Sequence, residues 1–211
     1  MPDLITFSGI DGAGKTTLLL RLRDHFQILG VPVHTLSFWD DVAILSRLRE
    51  KTSHTVFKGD PGIGSPDRPV ERRDKNVQAW YLTVARLFLY WLDALHLCWL
   101  VQSRGGPTDV LMFDRYIYDE LANLPLERLA VRAYVRFVLF FVPRPDRAYV
   151  LDADPVEARG RKPEYPLEFL FRNRQAYLDL AKMAGLTVIP VGDTALVLRD
   201  AFHLVPLRAC V

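Results

Sequence analysis

Apolar positions along the chain fall into two alternating rhythms. LITFS (4–8) is a short β-prone run closed by turn residues, which predicts a buried strand. Leu18, Leu19, Leu22, Phe26 and Leu29 then recur at helical spacing, and Gly30 supplies a stop. VPVHTLSF (31–38) predicts a second strand and DVAILSRLREK (41–51) a short helix. From 52 to 75 the periodicity collapses into a stretch rich in Gly, Pro and charge, which reads as a mobile loop inside one domain, because the same alternation resumes beyond it.

A long helix is predicted over 76–103, closed by the break RGGPTD. Strand VLMFD (110–114) follows, then helix ERLAVRAYVRFVLFFV (127–142) and strand AYVLDAD (148–154). A basic loop, EARGRKPEY (157–165), leads into the amphipathic helix 166–185, capped by Gly185. LTVIPV (186–191) is the last strand and 194–205 a terminal helix. Strands apolar on both faces, alternating with helices, predict a mainly parallel five-stranded sheet in a three-layer α/β/α sandwich. No internal repeat is visible, and 1–211 reads as a single domain.

Composition narrows the function. Half of the 211 residues are hydrophobic, enough for one real core, and a formal charge of +2 implies no nucleic-acid partner. Cys98 and Cys210 have no metal-ligand spacing, and the chain starts without a basic, cleavable leader, so a reducing cytoplasm is expected. The run 77–101 is long enough to span a membrane, but it carries Arg86, Asp93 and His96. Each charge near the middle of a span costs roughly 2.5–3.5 kcal/mol, so no membrane span is expected.

The strongest chemical signal is GIDGAGKT at 9–16, the pattern G-x-x-x-x-G-K-[ST] set between a strand and a helix. Gly9, Gly12 and Gly14 let the chain curl so that successive backbone N–H groups, including those of Ile10, Asp11, Ala13 and Thr17, face inward as an anion nest. The helix that follows adds its positive end. Lys15 can reach terminal phosphates and the Thr16 hydroxyl can join a Mg²⁺ shell. The chain lacks the Asn/Thr-Lys-x-Asp motif that reads guanine, so the expected donor is ATP. Asp114, Arg115 and Tyr116 end the third strand, where an open parallel sheet carries ligand-binding groups. There an aspartate can hold a metal-bound water and an arginine a second phosphate.

Together GIDGAGKTT, FDRY and ARGRKPEY…LEFLFRNRQAYLDLA resemble the thymidylate kinase family over nearly the whole chain, in order. The resemblance implies a P-loop NTPase fold with a small lid, here at about 158–166, and a homodimer packed through long helices. It implies that Asp11 contacts the acceptor sugar, and that Asp114, Arg115 and Tyr116 serve the acceptor phosphate and metal. It also implies that Arg86 grips the acceptor phosphate and that Arg159 and Arg161, with Lys162 nearby, act from the lid. Arg86 sits among apolar neighbours where an unpaired guanidinium would be expensive, and Asp93 lies on roughly the same helix face. A structural Arg86–Asp93 pair and a grip on a removable anion both satisfy that arginine. Gly12 and Ala13 supply no arginine within the P-loop, and Arg172 and Arg174 read as exposed helix residues.

The match departs on the acceptor side. Leu82 stands where the family stacks a Phe on thymine, and SFWDDV, with Trp39, replaces an arginine-bearing stretch. Parts of 159–170 also resemble the deoxynucleoside kinases, in which a long-helix glutamine reads the base; Gln78 is the candidate, with a plain helix-surface role as the alternative. The expected activity is transfer of the γ-phosphoryl group of ATP to a nucleoside monophosphate, with dTMP as default acceptor. Two alternatives remain: a kinase acting on the hydroxyl of a nucleoside or other small molecule, and a nucleotide-binding interaction protein without transfer.

Overall fold

A computed structural model describes residues 2–43, 80–104, 106, 109–190 and 197, and over 80–86 the backbone alone. The predicted loop 52–75, most of the predicted helix 41–51, Gln78 and nearly all of the predicted helix 194–205 lie outside the described residues.

Five strands form one sheet in the order β2-β3-β1-β4-β5, with every pairing parallel. They are β1 (Asp3–Gly9), β2 (Val33–Ser37), β3 (Val110–Asp114), β4 (Arg147–Asp152) and β5 (Thr187–Pro190). Strand β1 takes the centre because nothing in it needs water. Leu4, Ile5 and Phe7 are buried, and so are Thr6 and Ser8 between them. In register, Phe7 faces Asp114 on one side and Gly9 faces Leu151 on the other. The C-terminal tips of β1, β3 and β4 therefore share one edge of the sheet.

Helix α1 (Lys15–Ile28) packs on β1, β2 and β3. Helix α2 (Trp80–Ser103) packs against both α3 (Ile117–Leu121) and α4 (Leu129–Phe141), and α6 (Leu167–Ala184) meets α3 while covering β1, β4 and β5. Right-handed crossovers put α1 and the α2–α4 group on opposite faces, giving the three layers. Tyr90, Ala94, Leu97 and Val101 of α2 are buried at helical spacing, whereas Phe88, Leu95 and Trp99 are exposed. Among the described residues no helix is long and apolar enough to cross a membrane.

Three local elements differ from the pattern expected. Strand β2 stops at Ser37, and Phe38–Val42 forms a single wide helical turn, because the Asp41 carboxylate accepts the Ser37 N–H at 2.9 Å and folds the chain back. The stretch expected as a basic loop begins with a helix, α5 (Pro155–Arg161). Asp154 caps it by accepting from Val156 and Glu157 at 2.8 and 3.1 Å, and Pro155 supplies the fixed φ of a first helical residue. Helix α3 was not foreseen; it starts where the Asp119 carboxylate accepts the Tyr116 N–H at 3.1 Å.

Helix α5 lies against the P-loop with no room to spare. A Cβ added at Gly12 would stand 2.2 Å from the Ala158 carbonyl oxygen, and Gly12 holds φ +83°. Gly12→Ala should therefore lose at least about 1–2 kcal/mol from the left-handed backbone alone. At about 2–4 °C per kcal/mol for a chain of this size, calorimetry should show the melting temperature falling by several degrees.

Candidate nucleotide site

The first P-loop element is Lys15 itself. Its ammonium donates to the carbonyls of Gly9 and Ile10 at 2.7 and 3.0 Å, and the residue is 6% exposed. Burial, and next the Arg115 charge, lower its pKa; Asp119, Asp11 and Asp114 act in the opposite sense. Gly9, Gly12 and Gly14 all take positive φ, so the bend has the glycine-dependent backbone that an anion nest requires. Ile10 is buried and contributes its backbone alone to the loop.

Thr16 and Asp114 meet although 98 residues separate them: the Thr16 hydroxyl donates to Asp114 at 2.7 Å. The pair offers two hard oxygen atoms at the mouth of the loop. Among the described residues no cluster of three or more His, Cys, Asp or Glu could cage a metal. A hydroxyl and one carboxylate, completed by water and phosphate oxygens, suit Mg²⁺ rather than a soft transition metal.

Arg115 takes a left-handed backbone, φ 69°, and its guanidinium forms a tight ion pair with Asp11. Lys162 approaches the same Asp11 oxygen at 4.0 Å and Glu164 at 3.2 Å. Burial alone would raise the pKa of Asp11, but Arg115, Lys15 and Lys162 outweigh it and hold the carboxylate below its ordinary range. Burial likewise opposes the charge on Arg115, and Asp11 and Asp119 reverse that, so the guanidinium stays charged.

Asp119, which sequence reasoning missed, is the buried counter-charge behind the site. Its carboxylate accepts from Ser8 at 2.6 Å, from the Tyr177 hydroxyl at 2.8 Å and from the Tyr116 N–H. Burial, and then Asp119 itself, push the Tyr177 hydroxyl far above its usual range, so it remains a donor. The available signal was an aspartate three residues past a strand-end tyrosine, the N3 position of a short helix.

The expected site residues divide clearly. Lys15, Thr16, Asp114, Arg115 and Asp11 come together. Helix α5 rests on Gly12, so Arg159 and Arg161 lie on an element packed against the loop; Arg161 is turned to Glu157 of its own helix at 3.4 Å. Tyr116 does not belong to the cleft. It is fully buried, its hydroxyl donates to the Pro143 carbonyl at 2.8 Å, and so it is a core residue and no acceptor contact. Trp39 is half-buried, with its ring edge-on to Phe38, just beyond the tip of β2. Arg174, read as merely exposed, clamps Asp152 at the tip of β4 with two bonds of 2.5 and 2.8 Å. Asp93 is buried, while the side chains of Leu82 and Arg86 fall outside the described residues.

The fold and the loop define the class: a P-loop α/β protein with an all-parallel five-stranded sheet. No family model matches the chain. It is 27% identical to a thymidylate kinase of Bifidobacterium longum over 188 residues, 84% of this chain and 82% of that one. It is 28% identical to a probable thymidylate kinase of Saccharolobus solfataricus, over 97% of both chains. The crystal structure of a thymidylate kinase from Ehrlichia chaffeensis superposes with a TM-score of 0.58 at 20% identity, covering 95% of this chain and 98% of that one, which shows the common fold. The chain is thus similar to thymidylate kinases over most of its length.

The Asp11–Arg115 pair carries a pH signature. Because Asp11 titrates lower in the folded state, its contribution is fully present above the unfolded value and is lost as pH falls through the folded one. Asp11→Asn should cost about 1–3 kcal/mol at neutral pH by leaving Arg115 without its partner. In paired melts the gap between wild type and variant should close as pH drops below about 4.

Proposed function

We propose that the protein transfers the γ-phosphoryl group of ATP to a nucleoside monophosphate, with dTMP the first acceptor to test. The observation that carries this reading is the convergence of two distant segments on one sheet edge, where Thr16 touches Asp114 and Asp11 touches Arg115. The loop 9–17 takes the phosphate chain of the donor. Thr16 and Asp114 hold Mg²⁺, which when bound neutralises charge on the donor phosphates. Arg115 exchanges Asp11 for the acceptor phosphate, leaving Asp11 to face the acceptor sugar. Arg159 and Arg161 bring positive charge from the lid to the transferring group, whose negative charge is spread over equatorial oxygens. Arg86 completes the acceptor grip from α2, with Gln78 and Leu82 on its N-terminal side and Trp39 near the tip of β2. We read 1–211 as one domain with 158–166 as its closing part, working in the cytoplasm. The comparisons favour neither a hydroxyl kinase nor a non-transferring interaction protein.

A coupled assay of ADP release across the common nucleoside monophosphates and nucleosides tests the reading. ADP should form with a monophosphate acceptor, dTMP first, and not with unphosphorylated nucleosides; no acceptor-dependent ADP from any of them would refute it. Lys15→Ala should lower kcat by about 10²–10³-fold, since a preorganised positive donor to the phosphates is removed. We also propose that the exposed face of α2, carrying Phe88 and Trp99 at 55% and 62% exposure, is covered by a second copy of the chain. Light scattering should return twice the chain mass; a monomer at micromolar concentration would reject the dimer.

A further inference from the structure

A cavity of about 850 Å³ opens at the opposite pole of the sheet from the P-loop. It lies between the C-terminal ends of α4 and α6 and the first residues of β4 and β5. Arg136, Arg144, Arg147 and Lys182 line it, against a single carboxylate, that of Asp146. That carboxylate is already tied to the backbone, accepting the Leu4 N–H at 2.8 Å. Arg136, Arg144 and Lys182 form no ion pair with a described carboxylate.

Cations beside helix C-termini have an ordinary explanation, so the charges must be weighed. Each C-terminus contributes about half a negative charge. With Arg147 engaged by its own partner, the two C-termini and Asp146 offset about two of the remaining three cations, and an excess of about one positive charge remains facing the cavity. A helix-capping role does not account for that excess. An anion does. The volume falls in the range of small-molecule sites, roughly 300–1,000 Å³. The walls are mixed as a nucleotide demands: guanidinium groups suited to bidentate phosphate contact, and apolar surface from Leu139, Met183 and Leu186. Phe140 stands at the rim with 84% of its surface exposed, an open aromatic face for a base.

We propose that this cavity is a second binding site, separate from the P-loop, for a phosphate-bearing small molecule of nucleotide size. Its phosphates pair with Arg136, Arg144 and Lys182, and its planar ring lies on Phe140. The site is some distance along every strand from the catalytic edge, so its occupancy is independent of the residues that carry transfer.

Equilibrium dialysis of the full chain with labelled ATP tests the assignment. Wild type should bind more than one ATP per chain, and Lys15→Ala should keep the second site while weakening the first. The double charge reversal Arg144→Glu/Lys182→Glu should weaken the second site at least tenfold and leave the KM for ATP unchanged. Both side chains are exposed, so the variant should melt with the wild type, which the same samples check. Tripolyphosphate separates the two sources of the chemistry. If it displaces the second ATP completely, the phosphate chain alone is read; if it displaces it only in part, the ring on Phe140 contributes, and either result supports the site. One ATP per chain in wild type, no binding to Lys15→Ala, or a stoichiometry unmoved by charge reversal would each overturn the proposal. Failure of the kinase reading would appear in the acceptor assay and leave these outcomes untouched.

Discussion

The site depends on how Arg115 leaves β3. A left-handed backbone at a residue other than glycine costs about 1–2 kcal/mol, and it persists only where its surroundings hold it. Three contacts do so: the Arg115 N–H donates to the Phe7 carbonyl at 3.1 Å, the guanidinium pairs with Asp11, and Asp119 caps the next residue. This twist sends neighbouring side chains in opposite directions. Arg115 turns toward the P-loop, while Tyr116 drops into the core on Pro143. The Asp11–Arg115 pair and the packing of Tyr116 are thus two products of one backbone angle.

Four cations at the mouth of the site each hold a partner within the chain. Lys15 binds carbonyls of its own loop, Arg115 binds Asp11, Arg161 binds Glu157 and Lys162 binds Glu164. On the proposed function, binding phosphate would exchange these partners rather than neutralise bare charge. A bare guanidinium buried to the depth of Arg115 would cost several kcal/mol, and the Asp11 carboxylate offsets that cost. Behind them Asp119, sealed by Ser8 and Tyr177, supplies negative charge that no ligand displaces.

What the sequence made legible follows from what is local. Apolar rhythm marked all five strands and the long helices, because burial on both faces of a central strand leaves no polar position to blur the pattern. The P-loop was legible since its glycines, lysine and threonine are contiguous. Helix α5 was hidden by its own composition: Gly160 and two arginines look like loop, while the Asp154–Pro155 start that decides the matter is only two residues long. Tyr116 was assigned to the cleft because adjacency to Arg115 was taken for shared direction, and a left-handed residue breaks that link. The Arg174–Asp152 clamp and the bonds of Asp119 to Ser8 and Tyr177 were invisible since those partners lie 22, 111 and 58 residues apart in the chain.

The lid helix is tethered more tightly than its basic composition suggests. Ala153 alone separates the last residue of β4 from the aspartate that caps α5, and Ala153 is buried. A single anchored residue leaves no slack for the helix to peel away turn by turn. On the lid reading, α5 would swing as a lever about that one pivot, so the arginines at its far end would travel farther than the Gly12 contact near its middle.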